Sequence, residues 1–244
     1  MLKFSRGNAK LDALELIVGG QVWTFSQLSG HTCPFARDCF AKVIETDEGR
    51  RVVDGKDIQF RCFSASTEVL FPAVYNARKH NTDLIAEAGT ESKATKLILA
   101  SLPGEAKCIR IHVGGDFHKQ WYFDAWLNVA EIHNDITFYA YTKANNFWIK
   151  RMDNIPTNMV LTASRGGKLD CLIDEHGLRQ AVVVHSEAEA YELGLPIDHD
   201  DSHAALPELR NESFALLIHG KQPKGSKASK AVNILNGVGS YSRK

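Results

Sequence analysis

The chain has 244 residues, 44% of them hydrophobic, and its 29 lysines and arginines are balanced by 29 aspartates and glutamates. This composition fits one large α/β domain or two small ones, and zero net charge argues against a non-specific polyanion binder while leaving room for a local basic patch. No apolar run reaches membrane-spanning length and residues 1–20 lack a signal-type apolar core, so no membrane partner and a reducing cytoplasm are expected.

In chain order, residues 14–27 (LELIVGGQVWTFSQ) alternate and predict a β-hairpin turning at Gly19-Gly20. A cysteine loop (HTCPFARDCF, 31–40) and a polar stretch (45–57) follow, then a predicted strand at 58–66 (IQFRCFSAS). A helical pattern runs from Thr67 to about Gly89, with Pro72 disturbing its start, and a second helix covers 91–102 before Pro103-Gly104. Strands are predicted at 108–117, 136–143, 158–164, 179–186 and 213–220. Between them lie an amphipathic helix at 119–133 and a short helix near 145–153. In the first, Asp124, Asn128 and Glu131 mark the wet stripe, and Tyr122, Trp126, Val129 and Ala130 the dry face. A last helix is predicted within 226–237, with Gly237 beyond its end.

Six strands alternating with helices predict a parallel sheet, read as a partial (β/α)6 TIM-like barrel, with a flat doubly wound sheet as the alternative. The expected organisation is one α/β domain: residues 1–57 form the N-terminal hairpin and cysteine loop, 58–237 the barrel-like core and 238–244 a tail. Polar residues gather near the strand C-termini: His112, Gly114 and Asp116, then Tyr141, Lys143, Thr162, Ser164, His185 and His219. That is where a barrel carries its ligand site. Tyr141, Lys143 and His219 are the candidate catalytic groups.

Five cysteines cannot all pair, and the expected compartment disfavours disulfides. Cys33, Cys39 and Cys62 are therefore read as a trio. Three thiolates suit three irons of a [4Fe–4S] cluster, with the fourth iron open to a ligand. With His31 they also suit zinc, and three buried thiols that merely fill space remain a third reading. Cys108 and Cys171 read as structural. The run VGGDF (113–117) offers Gly114 and Gly115 for close backbone approach and Asp116 as an acceptor for an amine or hydroxyl; a tight strand–helix turn would look the same.

The segment HGKQPKGSKASK (219–230) has P-loop spacing at Gly220 and Gly225 but reverses the Lys-Ser order, so it is no P-loop. Its Lys221, Lys224, Lys227 and Lys230 fit either a phosphate-binding turn or a solvated basic tail. IDHDDSHAAL (197–206) is read as a polar loop entering a helix rather than a metal site.

Taken together, LSGHTCPFARDC, FRCFSASTEVLFPAVYNAR, IRIHVGGDF, FYAYTK and FALLIHGKQPKGSKASKA resemble a family of phage and mobile-element proteins named after a mycobacteriophage gene product eighty-eight, over roughly Leu14 to Gly237. The resemblance implies a phage-type origin and action in a host cytoplasm. A weaker resemblance is to the radical S-adenosylmethionine enzymes, which have a partial (β/α)6 barrel. It implies a [4Fe–4S] cluster on Cys33, Cys39 and Cys62, and S-adenosylmethionine held by Gly114, Gly115 and Asp116, with Ser164 near the cofactor. Those enzymes gather their cysteines in one loop, whereas here they spread from Cys33 to Cys62. The expected partner is a small-molecule or nucleic-acid substrate. The alternative function is a zinc-stabilised nucleic-acid-binding module without catalysis.

Overall fold

The computed structural model describes residues 1–7 and 9–237. The chain opens with β1 (Phe4–Arg6), α1 (Ala9–Val18) and β2 (Gln21–Phe25), then a separate antiparallel hairpin of β3 (Ala41–Thr46) and β4 (Gly49–Asp54). Three helices follow: α2 (Phe63–Leu70), α3 (Pro72–Ala88) and α4 (Glu91–Leu99). From there strands and helices alternate: β5 (Ala106–Ile111), α5 (Gln120–Ile132), β6 (Thr137–Thr142), α6 (Asn145–Ile149), β7 (Met159–Ser164), α7 (Cys171–Glu175), β8 (Gln180–Val184), α8 (Glu187–Glu192), α9 (Ser202–Ala205), β9 (Phe214–Leu217) and α10 (Lys227–Gly237).

The main sheet has the order β1-β2-β5-β6-β7-β8-β9. Only β1 is antiparallel, on the edge of β2; each later strand runs parallel to its neighbour. Six parallel strands thus follow one another across the sheet in chain order, and all their C-termini lie on one edge. Among the described residues β1 and β9 do not pair, so no closed barrel forms.

Two apolar layers cover the sheet. On one face Ile109, Ile111, Phe138, Ala140 and Leu161 pack against Ile85, Ile98 and the buried side of α5. The expected dry face of α5 is confirmed, since Tyr122, Trp126, Val129 and Ala130 are fully buried. Of its expected wet stripe Glu131 is exposed and Asn128 half-buried, whereas Asp124 is buried and bound by Arg151 and Gln120. On the other face Val22, Cys108, Tyr139, Val160, Ala181 and Phe214 meet Leu11 and Leu14 of α1 and Ala204 and Ala205 of α9.

Two N-terminal expectations are corrected. Residues 14–27 are a helix, a turn and a strand rather than a hairpin. Leu11, Leu14 and Val18 recur at helical spacing on the core face, and Gly19 takes φ +66 after the last helical residue. Gly20 N then donates to Glu15 O (3.2 Å), closing the helix as a glycine C-cap does. Residues 58–66 are not a strand, because β2 already occupies the place beside β5. Gln59 and Phe60 instead donate their backbone N–H groups to Asp38 O, and α2 begins at Phe63. The helical pattern from Thr67 is two helices, split at extended Phe71 and restarted by Pro72 at the first turn of α3. Within the polar stretch 45–57 lies most of the β3–β4 hairpin. Gly237 belongs to α10, and the expected tail 238–244 lies outside the described residues.

Candidate functional site at the C-terminal edge of the sheet

The loops that leave β2, β5, β6, β7 and β9 meet on the C-terminal edge. The cysteine loop is clamped to the loop after β7: Arg37 N and Asp38 N donate to Gly166 O, and Lys168 N donates to Phe35 O (2.8 Å). The segment leading into α2 is clamped to the loop after β9. Arg61 N donates to Gln222 Oε1 (2.8 Å), and the Phe63 and His219 rings lie 4.7 Å apart. Cys33, Cys39 and Cys62 are thereby carried to one edge, each partly exposed.

Cys33 and Cys62 respond to their surroundings. Burial around the sulfur pushes the Cys33 thiol well above its ordinary range, and the charges of Asp116, Cys62 and Cys39 push the same way. Cys62 is pushed up to about 11, first by burial and then by Cys39. Backbone N–H groups oppose this. Gly30 N donates to Cys33 Sγ (3.3 Å), and the N–H groups of Ala65 and Ser64, in the first turn of α2, favour the charged Cys62 sulfur without completing a cap hydrogen bond. Among the described residues no three His, Cys, Asp or Glu side chains stand as a group ready to hold a metal ion. His31, the expected fourth zinc ligand, has its Nε2 2.7 Å from Val43 O on β3.

The glycine pair after β5 sits inside this frame. Gln27 N donates to Gly114 O (2.8 Å). A side chain at Gly114 would collide with Ser64 and with Arg78 (2.8 Å), and one at Gly115, at φ +88, with Thr32 Oγ1 (2.6 Å). The close approach these glycines permit is thus to the protein's own α2, α3 and cysteine loop. Asp116 follows, 5% exposed. Its Oδ1 accepts from Thr142 Oγ1 (2.6 Å) and Phe117 N (2.7 Å), and its Oδ2 from Lys143 N (2.8 Å). Burial pushes its carboxyl up to about 6 against those three donors. Lys143 Nζ donates to Ser164 O, Ser164 Oγ and Arg165 O at 2.7–2.9 Å. Asp116, Lys143 and Ser164 therefore form one connected chain across β5, β6 and β7.

Tyr141 stands apart from that chain. Its hydroxyl lies 3.3 Å from Asp201 Oδ1 and 3.5 Å from Asp198 Oδ2, on the face covered by α9. Asp201 Oδ2 also accepts from Arg110 (2.6 Å) and Tyr139 (2.9 Å). The loop at 197–206 does enter a helix as expected, but Asp198 and Asp201 are fully buried rather than solvated. Thr162 is tied to Arg179, and His185 lies beside Glu189.

Sequence reasoning missed the buried brace behind the glycines. Glu68 Oε1 accepts from Ser29 N, Ser29 Oγ and Arg78 Nη1, and Arg78 also donates to Ser64 Oγ (2.5 Å). The brace ties the cysteine loop to α2 and α3. Its members lie on two helices and a loop, so no local spacing announces them. Gln27 was missed as well: it is fully buried, and both its amide atoms lack a protein partner.

Comparison with known proteins fixes the kinship. A family model described as Gene product 88 matches residues 2–235. The "Gene 88 protein" of Mycobacterium phage L5 is 28% identical over 108 residues, 38% of this chain and 44% of that protein. That of Mycobacterium phage D29 is 30% identical over 90 residues, 34% of this chain and 38% of that protein. The matched stretches thus span less than half the length of either relative. No solved structure is significantly similar. Neither the family model nor these relatives carries the radical S-adenosylmethionine likeness. The full-length family match and the phage relatives together establish that the chain belongs to the Gene product 88 family.

Proposed function

We propose that this phage-family protein binds a [4Fe–4S] cluster through Cys33, Cys39 and Cys62 at the mouth of a partial (β/α)6 barrel within a single α/β domain. The observation that carries this is the clamping of the cysteine loop and of the segment before α2 onto the ligand-binding edge of a parallel sheet, which brings all three half-buried cysteines to that edge. In a cluster each thiolate takes its own iron, so three sulfurs near one another serve without converging on a single ion. A thiol that burial keeps protonated gives up its proton to metal, and the backbone N–H groups beside Cys33 and Cys62 then face charged sulfur.

A bound cluster with an open iron supplies a ligand position and single-electron chemistry. The chain's own groups define what sits beside it. Asp116 Oδ2 accepts one hydrogen bond from the protein, leaving a lone pair for an amine such as that of S-adenosylmethionine or a related ligand. Lys143 holds Ser164 in line with it. His219 borders the mouth through Phe63, beside Cys62. The zinc-stabilised alternative would have to use His31 Nδ1, since Nε2 lies 2.7 Å from Val43 O, a contact that orients the ring.

Anaerobic purification with iron and acid-labile sulfide analysis tests the reading. Iron and sulfide in [4Fe–4S] proportion are expected, and serine at the three cysteine positions should abolish both. A folded, colourless, iron-free protein overturns it. Stoichiometric zinc without sulfide would instead favour the zinc-stabilised module.

A further inference from the structure

The balanced total charge conceals an uneven distribution. Residues 213–244 contain no aspartate or glutamate. Within them Lys221, Lys224, Lys227 and Lys230 are all exposed. Their placement is fixed by packing. Ala228 and Ala231 bury one side of α10 against Ile218 and Phe60, which leaves Lys227 and Lys230 in solvent. Phe60 lies two residues before Cys62. The turn before α10 is braced to the same segment, since Ser66 Oγ donates to Lys221 O (3.3 Å) and Gln222 brackets Arg61 through both backbone groups. Where the strip reaches the mouth, exposed His219 and half-buried Phe63 form a ring pair with centroids 4.7 Å apart.

We infer that this strip and ring pair bind single-stranded nucleic acid, with phosphates along the lysines and a base against Phe63 and His219, and so lead the strand past the cysteines. A basic track beside an aromatic platform is the arrangement that holds single strands without sequence readout. An acidic membrane surface is disfavoured because Ile234 is the one large apolar side chain exposed on residues 214–237. The choice of substrate class rests on reading the cysteine mouth as the reacting site.

Fluorescence anisotropy with a labelled 20-nucleotide single strand across a salt series tests it. The wild-type slope of log affinity against log salt is expected to be about −3, from about −0.7 for each of four lysines. K224E/K227E/K230E should weaken low-salt binding at least about tenfold and flatten the slope by about two. K93E/K96E/K107E, the same charge change on α4 and the opposite edge of the sheet, should leave both nearly unchanged. Phe63→Leu should weaken binding about fivefold or more and keep the slope, because stacking is insensitive to salt. Salt-independent binding by the wild type, or equal losses in strip and control variants, overturns the proposal. So does tighter binding to phosphatidylserine vesicles or to duplex of the same sequence. Iron and sulfide are measured on the same preparations, so failure of the cluster reading with strip binding intact, or the reverse, is read directly.

Discussion

Two buried polar regions lie on the same sheet and differ in degree of matching, although His203 Nδ1 beside Asp198 also makes no hydrogen bond. Around Asp201, on the face covered by α9, donors meet acceptors: Arg110, Tyr139 and Tyr141 all serve one carboxylate. At the C-terminal edge, buried polar atoms are left without protein partners. They include both amide atoms of Gln27, Glu68 Oε2, His112 Nδ1 and Asn145 Oδ1. A matched network makes a sheet face stable and unique, whereas orphaned buried groups cost stability and mark a place where something besides folding is served.

The largest test breaks the matched side. Asp201→Ala removes the buried carboxylate that the Arg110 guanidinium and the Tyr139 and Tyr141 hydroxyls share. Breaking such a pair from one side costs about 3–5 kcal/mol. Urea unfolding should show that loss, while iron content at the mouth of the still-folded fraction stays unchanged. A loss under about 1 kcal/mol would mean that the network is decorative and the contrast false.

The next test uses pH at the edge. His112 is 3% exposed, with φ +68, and burial followed by the neighbouring His118 charge pushes its imidazole down to about 3. Its folded pKa is depressed, so the unfolded chain takes up the proton first as pH falls. The stability it permits is therefore full above about 6.5 and is lost toward about 3, at roughly 1.4 kcal/mol per pH unit. His112→Asn, which tolerates the left-handed backbone, removes that dependence. Unfolding free energies at several pH values should show a shallower acid slope in the variant, even though its stability at pH 7 is lower from loss of the Tyr122 contact. Equal slopes would remove His112 from the account.

Much of the sheet is legible in the sequence. Strands β5 to β9 are apolar runs of four to six residues bounded by glycine, proline or polar turns, too short for a typical helix and right for a strand buried on both faces. The first parallel strand was misplaced because Leu14, Leu16 and Val18 alternate as in a strand while Leu11, Leu14 and Val18 repeat at helical spacing. Only the burial of Leu11 and Leu14 against β2 and Tyr139 resolves the ambiguity. Phe60 and Cys62 mimic a strand for the same reason. That Asp116, Lys143 and Ser164 share one edge was readable because strand ends in a parallel sheet do so. Tyr141 was misjudged by one step of that logic: lying on β6 rather than beyond it, it faces α9 and Asp201. The Glu68–Arg78 brace was invisible, since long-range buried pairs leave no spacing.

The smallest expected effect is the sharpest on the contrast. Gln27 is fully buried beside the turn that carries Gly115, and its amide makes no hydrogen bond with the protein. Leucine has nearly the same length without the polar atoms. If the edge is shaped for a ligand, Gln27→Leu relieves an unmet desolvation cost and raises stability by about 1–2 kcal/mol, the opposite sign from Asp201→Ala. The same change should weaken whatever binds at the mouth, because the carboxamide is the group that a ligand there would satisfy. Urea midpoints and ligand or cluster retention measured on one preparation separate the two effects. A Gln27→Leu protein that is both less stable and equally loaded would show that the carboxamide is matched in solution, and that the two regions obey one rule.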